Sequence, residues 1–218
     1  MFNHPQRFFH QSINTYSNLA YFFFGILILL IARHDHRHRT NRPTNRLAGF
    51  PLMGVCFVYL SIGSAFFHAS LTYAGERINM NATYSILLTL VDITLYYIGH
   101  RIRLSGSPRA MGNFAVSGDW LVLPIALRVP SSRLVPALIL LLNAGMVIHY
   151  VQFRRQRSIS IVLLSLVLVV LAICIRTLDV QKVGCDPYFF FQGHALWHLL
   201  TALSSFCSYC FFRFPKAE

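Results

Sequence analysis

Charged residues are scarce in this chain. They make up 12% of its 218 residues, and only seven are acidic. Hydrophobic residues account for 55%, and the mean hydropathy is +0.52. Soluble domains carry about 25% charged residues, so this composition excludes an ordinary soluble or disordered chain. We therefore expect an integral membrane protein.

Long polar stretches and internal repeats are also lacking. A membrane-spanning helix needs about 20 mostly apolar residues, and seven segments qualify. They are 15–33, 48–70, 79–99, 112–128, 134–153, 159–176 and 189–212. The fourth is weakest, because Gly118, Asp119 and Pro124 interrupt it. The linkers are short, so we predict a single all-α domain over residues 1–218, a polytopic membrane protein with a seven-transmembrane-helix bundle. The lack of repeats argues against a transporter.

The shortage of acidic residues leaves an excess of basic ones, 19 Lys and Arg against seven Asp and Glu. Nucleic acid is one conceivable partner for such a charge. However, the basic residues fall between apolar segments, so the positive-inside rule explains them better and no nucleic-acid partner is expected. Thirteen lie on one side: Arg33, Arg37, Arg39, Arg42, Arg46, Arg101, Arg103, Arg109, Arg154, Arg155, Arg157, Arg213 and Lys216. Only six lie on the other, which predicts a periplasmic or lumenal N-terminus and a cytoplasmic C-terminus.

Cysteine is infrequent, with five residues in the chain. Only Cys185 falls in a predicted outer loop, so no disulfide is expected on the oxidising side. The first 14 residues also lack a charged segment followed by an apolar run. We therefore predict no removable signal peptide.

Histidines and a serine form two matching patterns inside the apolar segments, Ser64-x-x-x-His68 and His194-x-x-x-His198. Residues four apart share one helix face, ~6 Å apart along the axis. In the predicted topology both patterns lie near the outer ends of their spans. Three histidines that converge at one depth predict a zinc site with an open fourth position. The alternative is that each histidine bonds to a neighbouring carbonyl group.

A buried zinc site in a lipid-facing fold predicts a hydrolase that acts on lipids. Zinc lowers the pKa of bound water to about 7 and polarises a carbonyl group. His-Glu-x-x-His enzymes carry the general base after the first histidine, but Ala195 occupies that position here, so another helix must supply the base. Ser64 is predicted to act in catalysis by bonding to a developing oxyanion. Helix packing is the alternative role for Ser64.

Two longer blocks surround these histidines. Ser64-Ala-Phe-Phe-His68-Ala-Ser-Leu-Thr-Tyr73 and Gln192-Gly-His194-Ala-Leu-Trp197-His198-Leu-Leu-Thr201 resemble the two signatures of the alkaline ceramidase family. That family belongs to a group of seven-helix membrane hydrolases that includes the adiponectin receptors. Asn14-Thr15-x-Ser17-Asn18 and Arg176-Thr177-Leu178-Asp179 are similar to two further family blocks. The resemblance extends from about residue 11 to residue 204.

This resemblance implies a zinc-dependent amidase. Its substrate would be a ceramide-like N-acyl lipid, drawn from the membrane and cleaved to a fatty acid and a sphingoid base. Residue by residue, it implies that His68, His194 and His198 hold zinc and that Ser64 assists the transition state. No calcium site is expected, because Gln11 stands where the family has an acidic residue.

The sequence departs from the family pattern at Asn79. Eleven residues after the first histidine the family carries an aspartate that activates the zinc water, and this chain has Asn79 there. An amide can position water but cannot accept its proton at neutral pH. Two other residues are alternative bases: Glu76, if the helix extends one turn earlier, and Asp179, which is expected in the loop before the last span. Asn79 also leaves open a non-catalytic lipid-binding or receptor-like protein with a structural zinc site.

Overall fold

The computed structural model describes residues 11–38, 49–101, 129–182 and 192–215. These residues are helical apart from short connections, and no strand occurs among them. The helices of this part are α1 (Ser12–Ser17), α2 (Leu19–Arg37), α3 (Gly49–Ser70), α4 (Tyr73–Arg101), α5 (Ser131–Gln152), α6 (Ile159–Val180) and α7 (Gly193–Arg213).

Six helical units in the described residues are long and apolar enough to cross a membrane, with α1 and α2 counted as one unit, Ser12–Arg37. This confirms the predicted all-α, multi-pass architecture. The predicted fourth span, 112–128, lies outside the described residues. Helix α4 begins at Tyr73 rather than at residue 79. The helix includes residues before the apolar segment, and the polar side chains of Glu76 and Arg77 are accommodated there because they are exposed.

A two-residue turn joins α3 to α4 and fixes the neighbourhood of the first histidine. Leu71 adopts a left-handed conformation with φ of 50°. The Gly75 N–H donates to Thr72 Oγ1 over 3.1 Å, which satisfies one of the free donors at the start of α4. The turn makes the two helices antiparallel neighbours, so Ser64 and His68 lie beside the first turns of α4.

Ring contacts establish the direction of the other helices. Tyr97 near the end of α4 contacts His149 near the end of α5, with centroids 5.3 Å apart. Both rings lie 5.5 Å from Phe212 near the end of α7. Asp35, near the end of α2, forms a buried ion pair with Arg213 of α7. Helices α2, α4, α5 and α7 therefore run from the end that holds the histidines, termed here the histidine end, to the opposite, distal end.

Close helix packing depends on small residues. A Cβ atom at Gly54 of α3 would lie 2.8 Å from Leu29 Cγ and 3.1 Å from the carbonyl oxygen of Gly25 on α2. The two helices thus approach so closely that a Cβ at Gly54 would force Leu29 to shift and would crowd the Gly25 backbone. Small residues serve this purpose in membrane bundles, where burial of apolar surface does not drive association.

Helix α6 carries a hydrogen-bonded serine on its buried face and has an apolar outer face. Ser165 Oγ lies 3.2 Å from Ser204 Oγ on α7, and both serines are buried. On the outer face Leu163, Val167 and Val170 are 52%, 52% and 50% exposed. Polar groups that bond inside and aliphatic groups that face outward are the arrangement expected of a helix surrounded by lipid.

Candidate metal centre and cavity

His68 of α3 and His194 and His198 of α7 form one buried cluster. One ligand nitrogen from each ring lies within 4.8 Å of the others, and the Nε2 atoms of His68 and His194 are 3.1 Å apart. The three residues are between 1% and 7% exposed. Two segments more than a hundred residues apart in sequence thus meet at one point, and this cluster is able to hold a metal ion.

The orientation of His68 follows from its contact with Gln11. His68 Nδ1 lies 2.8 Å from Gln11 Oε1, which also accepts a hydrogen bond from Asn14 Nδ2 over 3.1 Å. An amide oxygen only accepts, so His68 Nδ1 carries the proton and donates it. The lone pair of His68 is therefore on Nε2, the atom that faces the other histidines. Metal-binding histidines are commonly oriented by such a second hydrogen bond.

The orientation of His198 follows in the same way from Ser17. His198 Nδ1 lies 2.8 Å from Ser17 Oγ, and that hydroxyl donates its single hydrogen to the Asn14 carbonyl oxygen over 2.8 Å. Ser17 Oγ must then accept from His198 Nδ1, which leaves the lone pair of His198 on Nε2. The α1 segment thus sets the tautomers of two of the three histidines.

His194 lies in the first turn of α7, where the helix packs tightly against α6. A Cβ atom at Gly193 would lie 2.9 Å from Asp179 Cβ. Asp179 is 8% exposed and accepts a hydrogen bond from Arg176 Nη1 over 2.8 Å. His194 Nδ1 is buried and has no hydrogen-bond partner among the described residues. The close contact at Gly193 fixes the start of α7 and with it the position of His194.

A cavity of about 450 Å³ opens beside the cluster. Ser64, Asn79, His194 and His198 lie on its wall, so the cavity brings together the two residues predicted to act in catalysis and two of the predicted ligands. Ser64 is only 2% exposed. The apolar part of the wall comes largely from α4 and α5 and includes Ile86, Leu87, Val135, Ile139 and Leu142. Ligand pockets are typically about 300–1,000 Å³ and largely apolar, which this cavity matches.

Within the described part of the chain, no carboxylate joins the three histidines. Glu76 is exposed in the first turn of α4. The prediction that Asp179 lies in the loop before the last span is wrong, because α6 continues to Val180 and includes it. Its carboxylate is instead held in an ion pair with Arg176.

Sequence reasoning missed the contacts of Gln11, Ser17 and Arg176. Gln11 and Ser17 orient histidines, while Arg176 lies on the cavity wall. The signal for the first two was the cluster of polar residues at the start of an apolar span, because buried polar groups in a membrane require partners. The signal for Arg176 was a lone cation at the end of an apolar segment.

No protein-family model matches this sequence, and no curated protein matches it either. The resemblance of the histidine blocks to alkaline ceramidases therefore stays a prediction from the residues themselves. The arrangement of the three histidines and the cavity stands independently of it.

Proposed function

We propose that this protein is a zinc-dependent membrane amide hydrolase that cleaves ceramide-like N-acyl lipids to a fatty acid and a sphingoid base. The observation that carries the proposal is the set of three buried histidines beside a largely apolar cavity within a bundle of apolar helices. The resemblance to the alkaline ceramidases supplies the substrate class. The surrounding membrane lipids are the natural source of such a substrate.

The geometry and the tautomers of the histidines fit zinc. Tetrahedral zinc with Zn–N bonds of 2.0–2.1 Å places its ligand nitrogens roughly 3.3 Å apart. The 3.1 Å between His68 Nε2 and His194 Nε2 is close to that separation. A zinc ion bound here would supply the Lewis acidity that activates water and polarises a carbonyl group. Calcium is not part of the proposal, because the Gln11 carboxamide is engaged with His68.

Ser64 and Asn79 are the residues of this chain that act on the substrate. The Ser64 hydroxyl donates a hydrogen bond to the substrate carbonyl oxygen as negative charge develops there. The Asn79 carboxamide orients the attacking water without taking its proton. In the overall reaction water adds to the carbonyl carbon, the C–N bond breaks, and the amine leaves with a proton that the water provides.

Asn79 also favours a second candidate function. General-base catalysis typically contributes ~10²–10⁴-fold, and an amide at this position removes that contribution. A catalytically impaired lipid-binding or receptor-like protein would retain the zinc as a structural tie between α3 and α7. The cavity and the cluster serve this function equally well.

The topology is proposed as seven spans with the histidine end on the periplasmic or lumenal side and the C-terminus in the cytoplasm. The charge distribution supports the orientation. The parallel direction of α4 and α5 supports a crossing between them, since the chain leaves α4 at the distal end and starts α5 at the histidine end. The predicted span 112–128 is the segment proposed for this crossing.

The substitution Asn79→Asp tests the proposed chemistry. We expect it to raise amidase activity, because a carboxylate accepts the proton that the amide cannot, and even part of the ~10²–10⁴-fold available is measurable. The measurement is turnover of a ceramide by the purified full-length protein at equal zinc content. Asn81→Asp is the matched control, since Asn81 lies on the same helix but is bonded to Tyr59 and does not line the cavity.

Three outcomes separate the candidates. A rate increase for Asn79→Asp alone supports the hydrolase. Equal and substantial rates for the wild-type protein, Asn79→Asp and Asn81→Asp would mean that another group already acts as the base. No turnover by any of them, with zinc bound, would favour the lipid-binding candidate.

A further inference from the structure

Arg176 is the cationic side chain of the cavity. It lies in the last two turns of α6 and lines the same cavity as His194 and His198. The other described residues of the wall are aliphatic, aromatic, hydroxyl, amide or histidine side chains, so Arg176 carries the one permanent charge among them. A fixed charge within an apolar bundle is costly unless it has a partner or a function.

Asp179 forms an ion pair with this guanidinium but engages only one of its donor groups. A single hydrogen bond, from Arg176 Nη1 to Asp179 Oδ2, is 2.8 Å long. The Asp179 side chain is 7% exposed, whereas that of Arg176 is 33% exposed. The anion of the pair is thus hidden against α7 and the cation is the accessible partner. A guanidinium has five N–H donors in a planar fork, which suits a carboxylate, sulfonate or phosphate group.

The position of Arg176 limits where such a group would lie on a substrate. The Asp179 carboxylate, which holds Arg176, also packs against the start of α7, since its Oδ1 lies 3.3 Å from the place of a Cβ on Gly193. Gly193 is the residue before His194. The guanidinium is therefore near the histidine end of the cavity, while the apolar wall of α4 and α5 remains available for aliphatic chains.

We infer that the cavity selects N-acyl lipids that carry an anionic group close to the amide, and that Arg176 binds this group. The inference rests on the proposed hydrolase function and narrows its substrate class. A neutral ceramide leaves the exposed donors of Arg176 without an acceptor, whereas a ceramide that bears a phosphate fills them.

The test compares ceramide and ceramide 1-phosphate with identical chains, presented in neutral detergent to the zinc-loaded full-length protein. We expect kcat/KM to favour ceramide 1-phosphate, and Arg176→Gln to lower that preference by roughly 10–100-fold, as loss of a hydrogen-bonded charge pair does. Arg176→Lys retains the charge and should keep part of the preference. Arg133→Gln is the matched control, because Arg133 is exposed and lies outside the cavity wall.

Equal kcat/KM values for the two lipids in the wild-type protein would overturn the inference. It would also be overturned if a folded, zinc-loaded Arg176→Gln variant lost kcat/KM by the same factor on both lipids. If neither lipid is hydrolysed, the proposed function fails and equilibrium binding decides the inference separately. In a competition assay against a fluorescent lipid, ceramide 1-phosphate should then bind at least about 10-fold more tightly than ceramide. This difference should appear only in proteins that have Arg or Lys at position 176. Equal displacement would reject the anion site.

Discussion

Two rings of the histidine cluster, His68 and His198, form a hydrogen bond on the side that faces away from the cluster. Gln11 and Ser17 each accept from an Nδ1–H group, so the lone pairs of His68 and His198 both face the centre. A buried polar group without a partner is costly. Both lone pairs are thus available to a shared ligand, and the cluster is able to bind a metal ion.

At this scale, His194→Ala should remove the metal and lower the thermal stability of the protein. His194 belongs to α7 and His68 to α3, so an ion bound by both would tie the two helices together. Zinc content of the purified variant and its melting temperature with and without chelator are the measurements. His36→Ala is the control, because His36 is exposed and lies outside the cluster. Full zinc occupancy in His194→Ala would contradict the ligand assignment.

Ser17→Ala should weaken zinc binding without removing it. The variant deletes the acceptor of the His198 Nδ1–H group, and loss of such outer-shell partners typically costs ~10–100-fold in metal affinity. Competition with a chelator of known affinity measures the change. Thr177→Ala is the matched control, since the Thr177 hydroxyl is exposed and bonds only within its own helix, to the carbonyl oxygen of Ile173. An unchanged zinc affinity in Ser17→Ala would mean that Ser17 does not orient the ligand.

Individual helices place these side chains through short turns and close crossings. The two-residue turn at Leu71 sets α4 beside α3, and Gly54 lets α2 approach α3. Because α1 continues almost directly into α2, the chain before α2 also lies beside α3, where the Gln11 N–H donates to the His68 carbonyl oxygen over 3.1 Å. The packing of the bundle is thus connected to the geometry of the site.

Gly54→Ala should destabilise the bundle by about 1–3 kcal/mol, the usual cost of extra volume at a tightly packed position. The new Cβ would lie 3.1 Å from the backbone oxygen of Gly25, which has little freedom to move. Thermal unfolding in detergent measures the effect. Val55→Leu adds volume to the lipid-facing side of the same helix, where Val55 is 53% exposed, and should be neutral. Equal stability of both variants would show that the crossing is looser than described.

At the scale of the whole molecule, the bundle is polarised. The histidines and Arg176 lie at one end. The Asp35–Arg213 ion pair closes the other end, together with Arg157, whose guanidinium bonds to the carbonyl oxygens of Phe211 and Phe212 over 2.7 and 2.9 Å. Those cationic contacts satisfy the last carbonyl groups of α7. The histidine cluster and the ion pair that closes the bundle therefore lie at opposite ends of the molecule.

If the chain crosses the membrane seven times, its two ends lie on opposite sides. Reporters fused to the N-terminus and to the C-terminus should then be active on opposite sides of the membrane. The C-terminal fusion, after Glu218, should be active only as a cytoplasmic reporter, because the loops on that side carry thirteen of the 19 basic residues. Termini on the same side would reject the odd number of spans. Opposite sides with an outer C-terminus would place the histidine end in the cytoplasm.

The sequence by itself determined the membrane class, the positions of the apolar helices and the identity of the clustered histidines. These features are local, because hydropathy depends on about 20 consecutive residues and the i, i+4 spacing on one helix turn. The described helices correspond to six of the seven predicted spans, and Ser64 and Asn79 line the cavity beside the histidines.

Only the tertiary structure decided which residues surround the site. Gln11 meets His68 and Ser17 meets His198 across 57 and 181 positions of sequence. The sequence predicts Asp179 in a loop, but it lies in the last turn of α6 and accepts a hydrogen bond from Arg176. Such contacts follow from how helices cross, and a crossing depends on the packing of small residues between helices rather than on any local pattern.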